Sequence, residues 1–200
     1  MDATEWDRRY EGAGYVWEIE PNRFVAEQVL PLPPGRALDL GAGEGRNAVW
    51  LAGRGWDATA VDFSAVGMAK ADRLAADHGV AITTVVADAV SYDVAAGAWD
   101  LVVVSYLQLP TPERLEVVRR AAAGVATGGT LLIVAHDRTN LARGHGGPQD
   151  PDVLYDVDET VAALDGTGLT PVVATVVGRF VTKDDSEHVA LDTLVVARRR

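Results

Sequence analysis

The sequence predicts an α/β protein: a seven-stranded, mostly parallel sheet with one antiparallel strand and helices on both faces. Three observations lead there. Five strand-then-helix units run from Arg36 to Leu164, the strand runs short and apolar. The first run breaks into Gly41-Ala42-Gly43-Glu44-Gly45, a strand–turn–helix junction of the kind that builds nucleotide-type pockets. The last two apolar runs have no helix between them and face each other across the polar Lys183-Asp184-Asp185-Ser186, which sets one strand antiparallel.

Length and charge bound the function. Two hundred residues suit a single domain, 1–200, with residues 1–35 as an N-terminal cap or lid and 36–200 as the core. No apolar run reaches the roughly 18 residues that a membrane span requires. The start, Met1-Asp2-Ala3-Thr4-Glu5-Trp6, lacks the basic and apolar regions of a signal peptide. The absence of cysteine removes disulfides, thiolate metal sites and a cysteine nucleophile, and suits a cytoplasmic protein. A net charge of −11 repels a phosphate backbone, so neither nucleic acid nor a membrane is the expected partner. Nothing in the sequence signals an oligomeric state.

In order, the chain opens on an aromatic segment. Trp6 and Tyr10 are four apart and share a helical face that packs on the domain. Tyr15 and Trp17 flank glycine and proline, which places them on a loop that could cover a ligand. Pro21 to Leu30 reads as a helix with an apolar stripe, ended by Pro31, Pro33 and Pro34. Arg36 to Leu40 is the first strand, and a helix from Glu44 to Ala52 follows the glycines. Asp57 to Asp62 is the second strand, with a helix from Ser64 to His78. Val80 to Asp88 is the third, and Trp99 to Val104 the fourth. The fourth opens into Ser105-Tyr106-Leu107-Gln108-Leu109-Pro110 at the ligand edge. A helix from Pro112 to Ala126 leads through Gly128-Gly129 to the fifth strand, Thr130 to Ala135. Arg138 to Asp156 reads as a long irregular lid or disordered loop, and Asp158 to Leu164 as a short helix. Thr170 to Val177 and His188 to Ala197 close the sheet.

The glycine spacing carries chemistry. A dinucleotide turn wants glycine at the first, third and sixth positions. Counted from Gly41 the sixth is Arg46, too large for the close helix–strand contact, so an NAD-dependent oxidoreductase is the weaker alternative. The glycines let backbone approach a ligand, whose charge can meet free N–H groups at the helix start. Asp62, 21 positions after Gly41, ends the second strand where a carboxylate can accept from both ribose hydroxyls. Asp88 ends the third, where it can accept from an exocyclic adenine amine. Arg46 has two readings: a partner for an anionic group at the pocket or lid, or a solvated helix arginine.

The acidic-x-Gly-x-Gly-x-Gly pattern from Asp39, with Asp62 and Asp88 at successive strand ends, resembles the class I S-adenosylmethionine-dependent methyltransferases from about Pro21 to Ala197. Gly41-Ala42-Gly43-Glu44-Gly45-Arg46-Asn47, with Trp6-Asp7-Arg8-Arg9-Tyr10, resembles more narrowly the tellurite-resistance and thiopurine methyltransferase branch. The resemblance implies a Rossmann-like fold and S-adenosylmethionine as cofactor. It implies that Asp39 organises the methionine end, that Gly41, Ala42 and Gly43 lie under the cofactor, and that Arg46 borders it. Asp62 would bind the ribose, Phe63 flank the adenine, Asp88 and Ala89 contact its edge, and Ser105 border the methionine portion. It implies methyl transfer to a small molecule with a thiol, metalloid or aromatic heteroatom acceptor. A regulatory protein that binds the cofactor without turnover is the alternative outside enzymology.

The sulfonium already activates the methyl group, so the protein must chiefly position a nucleophile, with a base only for a protonated acceptor. Tyr106 and His136 are the candidate catalytic residues. Tyr15, Trp17, Asp137 and His145 join them as substrate or lid residues. His136, Asp137 and His145 could hold a metal by residue type alone, but no metal site is expected. The absence of an Asn-Pro-Pro-Tyr-like stretch after the fourth strand counts against methylation of base amino groups.

Overall fold

A computed structural model describes residues 3–183 and 186–200. Seven strands form one sheet in the order β3-β2-β1-β4-β5-β7-β6. They are β1 (Arg36–Leu40), β2 (Asp57–Asp62), β3 (Thr83–Val86), β4 (Trp99–Ser105), β5 (Val125–His136), β6 (Leu169–Lys183) and β7 (Ser186–Arg199). β1 to β5 are parallel, and β7 runs antiparallel to both β5 and β6. The order reverses between β1 and β4, which opens a crevice at their carboxyl ends.

Side chains alternate across the sheet, and each face has its own core. On one face Leu38, Leu40, Val102, Val104, Leu131 and Ile133 pack against Val117, Val118 and Ala121 of α5 (Thr111–Gly124). On the other, Ala37, Leu101, Val103, Leu132 and Val134 meet Phe24, Val25 and Val29 of α2 (Arg23–Val29) and Ala48 and Leu51 of α3 (Arg46–Ala52). The same alternation carries Asp39, His136 and Asp192 to this second face, because they follow Ala37, Val134 and precede Leu194 at steps of two. The fold thus gathers three distant polar residues on one side of the sheet.

Several boundaries differ from expectation for packing reasons. β3 is four residues long, because Val80 and Ile82 leave the sheet to pack with Val49 and Leu74 of α3 and α4 (Ala65–Asp77). β5 begins at Val125, so Gly128 and Gly129 lie inside the strand rather than before it. β6 and β7 pair out to Lys183↔Ser186, well past the His136↔Asp192 pair where β5 ends, so they form an arm beyond the sheet. Asp184 and Asp185 of the expected hairpin lie outside the described residues.

The stretch 138–156 is also more ordered than a free loop. It holds α6 (Asn140–Arg143) and a 3-10 turn, Pro151–Val153, and leads to α7 (Val157–Ala162). Asn140 accepts from the Leu191 N–H at 2.8 Å and donates to the Gly146 carbonyl at 2.8 Å. The Tyr155 hydroxyl donates to the Leu107 carbonyl at 2.8 Å. Buried Arg114 donates to the carbonyls of Leu109 and Asp152 and pairs with Glu159 at 2.6 Å. These bonds pin both loops beside the crevice.

Candidate functional site

The glycine turn sits at the carboxyl end of β1. Gly41, Gly43 and Gly45 all have positive φ, which side chains rarely adopt. At Gly45 a Cβ would also lie 2.4 Å from the Ala71 Cβ, so this glycine is needed where α3 crosses α4. The N–H groups of Gly41 and Ala42 donate to the Val61 carbonyl, and the Gly43 N–H donates to Asp62 Oδ2 at 2.8 Å. These three turn donors are therefore engaged within the protein. The glycines supply close approach, and the carboxylates supply the polar contacts.

Asp39 is the most exceptional group. It is 1% exposed and neither carboxylate oxygen has a hydrogen-bond partner. Burial pushes its pKa up to about 7; the charge of Arg46 opposes this, Asp62 adds to it, and the nearby Ala48 N–H eases it slightly. An unpartnered buried carboxylate costs stability and marks a place prepared for a donor or cation. Asp62 is nearly buried too. Its Oδ1 accepts from the Ser64 N–H at 2.9 Å and its Oδ2 from Gly43, and each oxygen keeps a lone pair for a further donor. Burial raises its pKa against those two backbone bonds.

Phe63 is half-buried beside Asp62, and Ala89 is buried. Asp88 is exposed, its Oδ1 accepting from the Val90 N–H at 2.9 Å in a local turn beyond β3. Arg46 is half-buried and makes no hydrogen bond or ion pair among the described residues; burial lowers its pKa, opposed by the charges of Tyr106, Asp39 and Glu18.

The N-terminal segment is fastened to this turn. Asp7, in α1 (Ala3–Tyr10), accepts from the Ser64 hydroxyl at 2.5 Å, at the start of α4. Tyr10 is buried, with its hydroxyl 2.9 Å from where a Gly43 Cβ would stand. Glu44 of the glycine turn is 4% exposed and accepts from the Val16 N–H at 2.9 Å and the Trp17 N–H at 3.3 Å. Lys70 of α4 bonds Glu44 at 3.0 Å and the Gly14 carbonyl at 2.6 Å. Residues 14–17 are thus clamped to the motif through a buried ion pair. Within that clamp Tyr15 packs among Val49, Leu74 and Ile82. Trp17 is 44% exposed, under the Arg9 guanidinium.

A second cluster lies at the ends of β4, β5 and β7. Tyr106, following half-buried Ser105, is the one non-glycine among the described residues with positive φ, +53°. Its hydroxyl donates to Asp192 Oδ2 at 2.6 Å. His136 Nδ1 is 3.1 Å from Asp192 Oδ1. A carboxylate offers only lone pairs, so Nδ1 carries a proton, and in the neutral ring Nε2 is the acceptor. The His136 ring lies 4.8 Å from that of Tyr106 and against the backbone of Gly147. Arg179 Nε donates to Asp192 Oδ2 at 3.0 Å and to the Tyr106 hydroxyl at 3.1 Å. Burial works to raise the Asp192 pKa, but the bonds from His136 and Tyr106 and the charge of Arg179 outweigh it and hold the carboxyl below its ordinary value. Burial, with the charge of Asp192, pushes the Tyr106 phenol far up, so it is a donor here and not a base.

Asp137 and His145 fall outside this cluster. Asp137 is buried and saturated by Thr139 and the Thr193 hydroxyl, which places it in the framework. His145 is exposed and stacks on His188 at 3.8 Å. Among the described residues no three His, Asp or Glu side chains gather to hold a metal ion, and no helix is long and apolar enough to cross a membrane.

Sequence reasoning missed Glu44, Lys70, Arg179 and Asp192. Glu44 stood inside the motif but read as a spacer between glycines. Asp192 had a signal: a carboxylate in an apolar strand, where a charge is retained only with partners.

Residues 37–129 match a family described as a methyltransferase domain. The ribosomal RNA small subunit methyltransferase C of Chromohalobacter salexigens is 32% identical over 150 residues, which cover 64% of this chain and 44% of that protein. This chain therefore spans less than half the length of that curated relative. Among solved structures, one concerned with conversion of a disulfide bond into a thioacetal group during echinomycin biosynthesis has a TM-score of 0.77 at 20% identity, covering 98% of this chain and 91% of that one. TehB from Haemophilus influenzae gives 0.74 at 17% identity, covering 99% and 67%. Magnesium protoporphyrin IX methyltransferase from Synechocystis PCC 6803, solved with bound SAH, gives 0.70 at 17%, covering 98% and 94%. At such identities the likeness speaks for the fold. The matched stretch covers the glycine turn, Asp62, Asp88 and Tyr106, so residues 37–129 match a methyltransferase domain and the chain around them has a Rossmann-like fold similar to those structures.

Proposed function

We propose that the protein transfers a methyl group from S-adenosylmethionine to a small-molecule acceptor. The observation that carries this is Asp39: a buried carboxylate without a partner, beside a glycine turn and one strand from Asp62. Dinucleotide binding gives no use for that carboxylate, whereas a cofactor with an ammonium group does. In this reading Asp39 accepts from the amino end of the cofactor and Arg46 answers its carboxylate. Gly41, Ala42 and Gly43 lie beneath it, with Ser105 alongside. Asp62 accepts from the ribose, and Phe63, Asp88 and Ala89 border the adenine. When bound, S-adenosylmethionine supplies a methyl group made electrophilic by its sulfonium. His136 Nε2 accepts the proton of the acceptor heteroatom, and Asp192 holds the ring in the tautomer that can do so. Residues 1–35 act as a cap fastened by Glu44 and Lys70.

A thiol, metalloid or aromatic heteroatom acceptor is favoured by the sequence resemblance to the tellurite-resistance branch, and the protein would act in the cytoplasm. Ribosomal RNA is a second reading, favoured by the curated relative and opposed by the charge of −11. Calorimetric titration with S-adenosylhomocysteine and with NAD tests the cofactor: binding of NAD alone would overturn the proposal. Methyl transfer from labelled cofactor to a thiol, phenol and metalloid panel, with deproteinised ribosomal RNA as a separate arm, tests the acceptor. Labelling of the RNA alone would replace the small-molecule reading.

A further inference from the structure

Arg199, Arg114 and Arg179 each have a half-buried or buried side chain bound to carboxylates or carbonyls, and they differ in how they are held. Arg199 is bonded through Nε, Nη1 and Nη2 to the carbonyls of Val125, Thr167 and Ala122. Arg114 has both terminal nitrogens bonded, to Leu109, Asp152, Thr111 and Glu159. In both, the two terminal nitrogens are employed in joining elements. Arg179 is held by Nε alone, to Asp192 and Tyr106, and its two terminal nitrogens have no partner among the described residues. Arginine ordinarily meets a carboxylate with its paired N–H groups, because that fork matches the two oxygens. Here the elbow is anchored and the fork is left open.

The position of that fork is informative. Asp192 bonds both Arg179 and His136, so the guanidinium and the imidazole are fixed relative to one another by one carboxylate. The Arg179 side chain is 27% exposed and that of His136 is 16% exposed, so the cluster is shielded yet reachable.

We propose that Arg179 is the specificity-determining residue for the acceptor, and that the acceptor is a small molecule bearing a carboxylate close to the heteroatom that receives the methyl group. The open fork takes the carboxylate in a bidentate pair, and His136 Nε2 faces the neighbouring S–H or O–H. This inference rests on the methyltransferase reading.

The test uses matched probes on the full chain saturated with S-adenosylhomocysteine: 2-mercaptobenzoate against thiophenol, and 3-hydroxybenzoate against phenol, with affinity read by titration. The carboxylated member of each pair is expected to bind at least tenfold tighter. Arg179→Gln should erase that preference while leaving S-adenosylhomocysteine affinity within about twofold. Arg179→Lys, which keeps a cation beside Asp192, should retain a small part of it, because a point charge lacks the fork. Should the Gln variant fold poorly, the Lys variant and the wild-type pairs decide alone. Equal affinity within the pairs, or an undiminished preference in either variant, overturns the inference while the cofactor binds normally. Failure of S-adenosylhomocysteine to bind the wild type would instead strike the methyltransferase reading.

Discussion

The clamp between Glu44 and Lys70 gives the sharpest stability prediction. Glu44→Ala leaves the Lys70 ammonium, whose side chain is 10% exposed, without its counter-charge and with only the Gly14 carbonyl at 2.6 Å. Breaking one side of a buried pair costs about 3–5 kcal/mol, most of it the penalty of an unanswered buried charge. In a chain of this size each kcal/mol moves the unfolding midpoint by roughly 2–4 °C, so Tm should fall by about 6–20 °C. The Val16 and Trp17 N–H groups lose their acceptor as well, and residues 11–20 should become cleavable by a protease specific for Glu or aromatic sites. Glu44→Met combined with Lys70→Met removes both charges, and replacing such a pair by apolar side chains is commonly near neutral. The double variant should therefore recover at least about 2 kcal/mol over Glu44→Ala, because the stranded ion accounts for most of the loss. Thermal and urea unfolding followed by circular dichroism measure both. A single variant that loses less than about 1 kcal/mol, the range of exposed pairs, or a double variant no better than the single, would refute the reasoning.

Three further outcomes follow from the site. The Asp39 carboxyl has a folded pKa raised to about 7 from 3.8, so the folded chain holds a proton that the unfolded chain releases. Its contribution to stability is full below about pH 4 and declines by up to about 1.4 kcal/mol per pH unit as pH rises through 7. Asp62, also raised, acts in the same sense. Asp39→Asn should flatten that decline in urea unfolding at pH 5 and pH 8, and should abolish most of the proton release that accompanies S-adenosylhomocysteine binding in calorimetry at pH 6.5. Asp62→Asn should weaken S-adenosylhomocysteine binding by about 1.5–3 kcal/mol, the value of a charge-assisted hydrogen bond, and an unchanged dissociation constant would remove Asp62 from the site. Gly45→Ala combines φ of +80° with a Cβ 2.4 Å from that of Ala71, and should cost about 2 kcal/mol or more in urea unfolding through strain and overpacking.

The parts of this protein that local pattern encodes were legible. A strand that ends at Asp39 and breaks into three glycines is a contiguous signal, and so is a carboxylate closing the β2 run at Asp62. The parallel order followed from the alternation of runs, and the antiparallel strand from two runs without a helix between them. Element ends were less legible, because they depend on contacts far away in sequence. Val80 and Ile82 look like strand residues by composition, and only the groove between α3 and α4 draws them out of the sheet. Tyr15 stands on a glycine-flanked stretch, and its packing in the same groove could not be read locally because Glu44 and Lys70 fix its neighbours. The long stretch 138–156 looks irregular because its order comes from Asn140, Tyr155 and Arg114, each bonding to another element.

The division between what was and was not legible follows the two halves of the proposed reaction. Of the proposed cofactor end, Asp39, the glycine turn and Asp62 lie within 24 residues of chain, at the ends of β1 and β2. A chain that short repeats one spacing whenever it must hold one ligand, so spacing reveals it. The acceptor end is built from Tyr106, His136, Arg179 and Asp192, which span 86 residues and meet only because β7 inserts between β5 and β6. The antiparallel strand that closes the sheet also brings Asp192 to the register position opposite His136. Relocating a single β7 residue by one position would turn it to the opposite face. No spacing in the sequence constrains that pairing, so Asp192 and Arg179 could be found only through the sheet register that joins them.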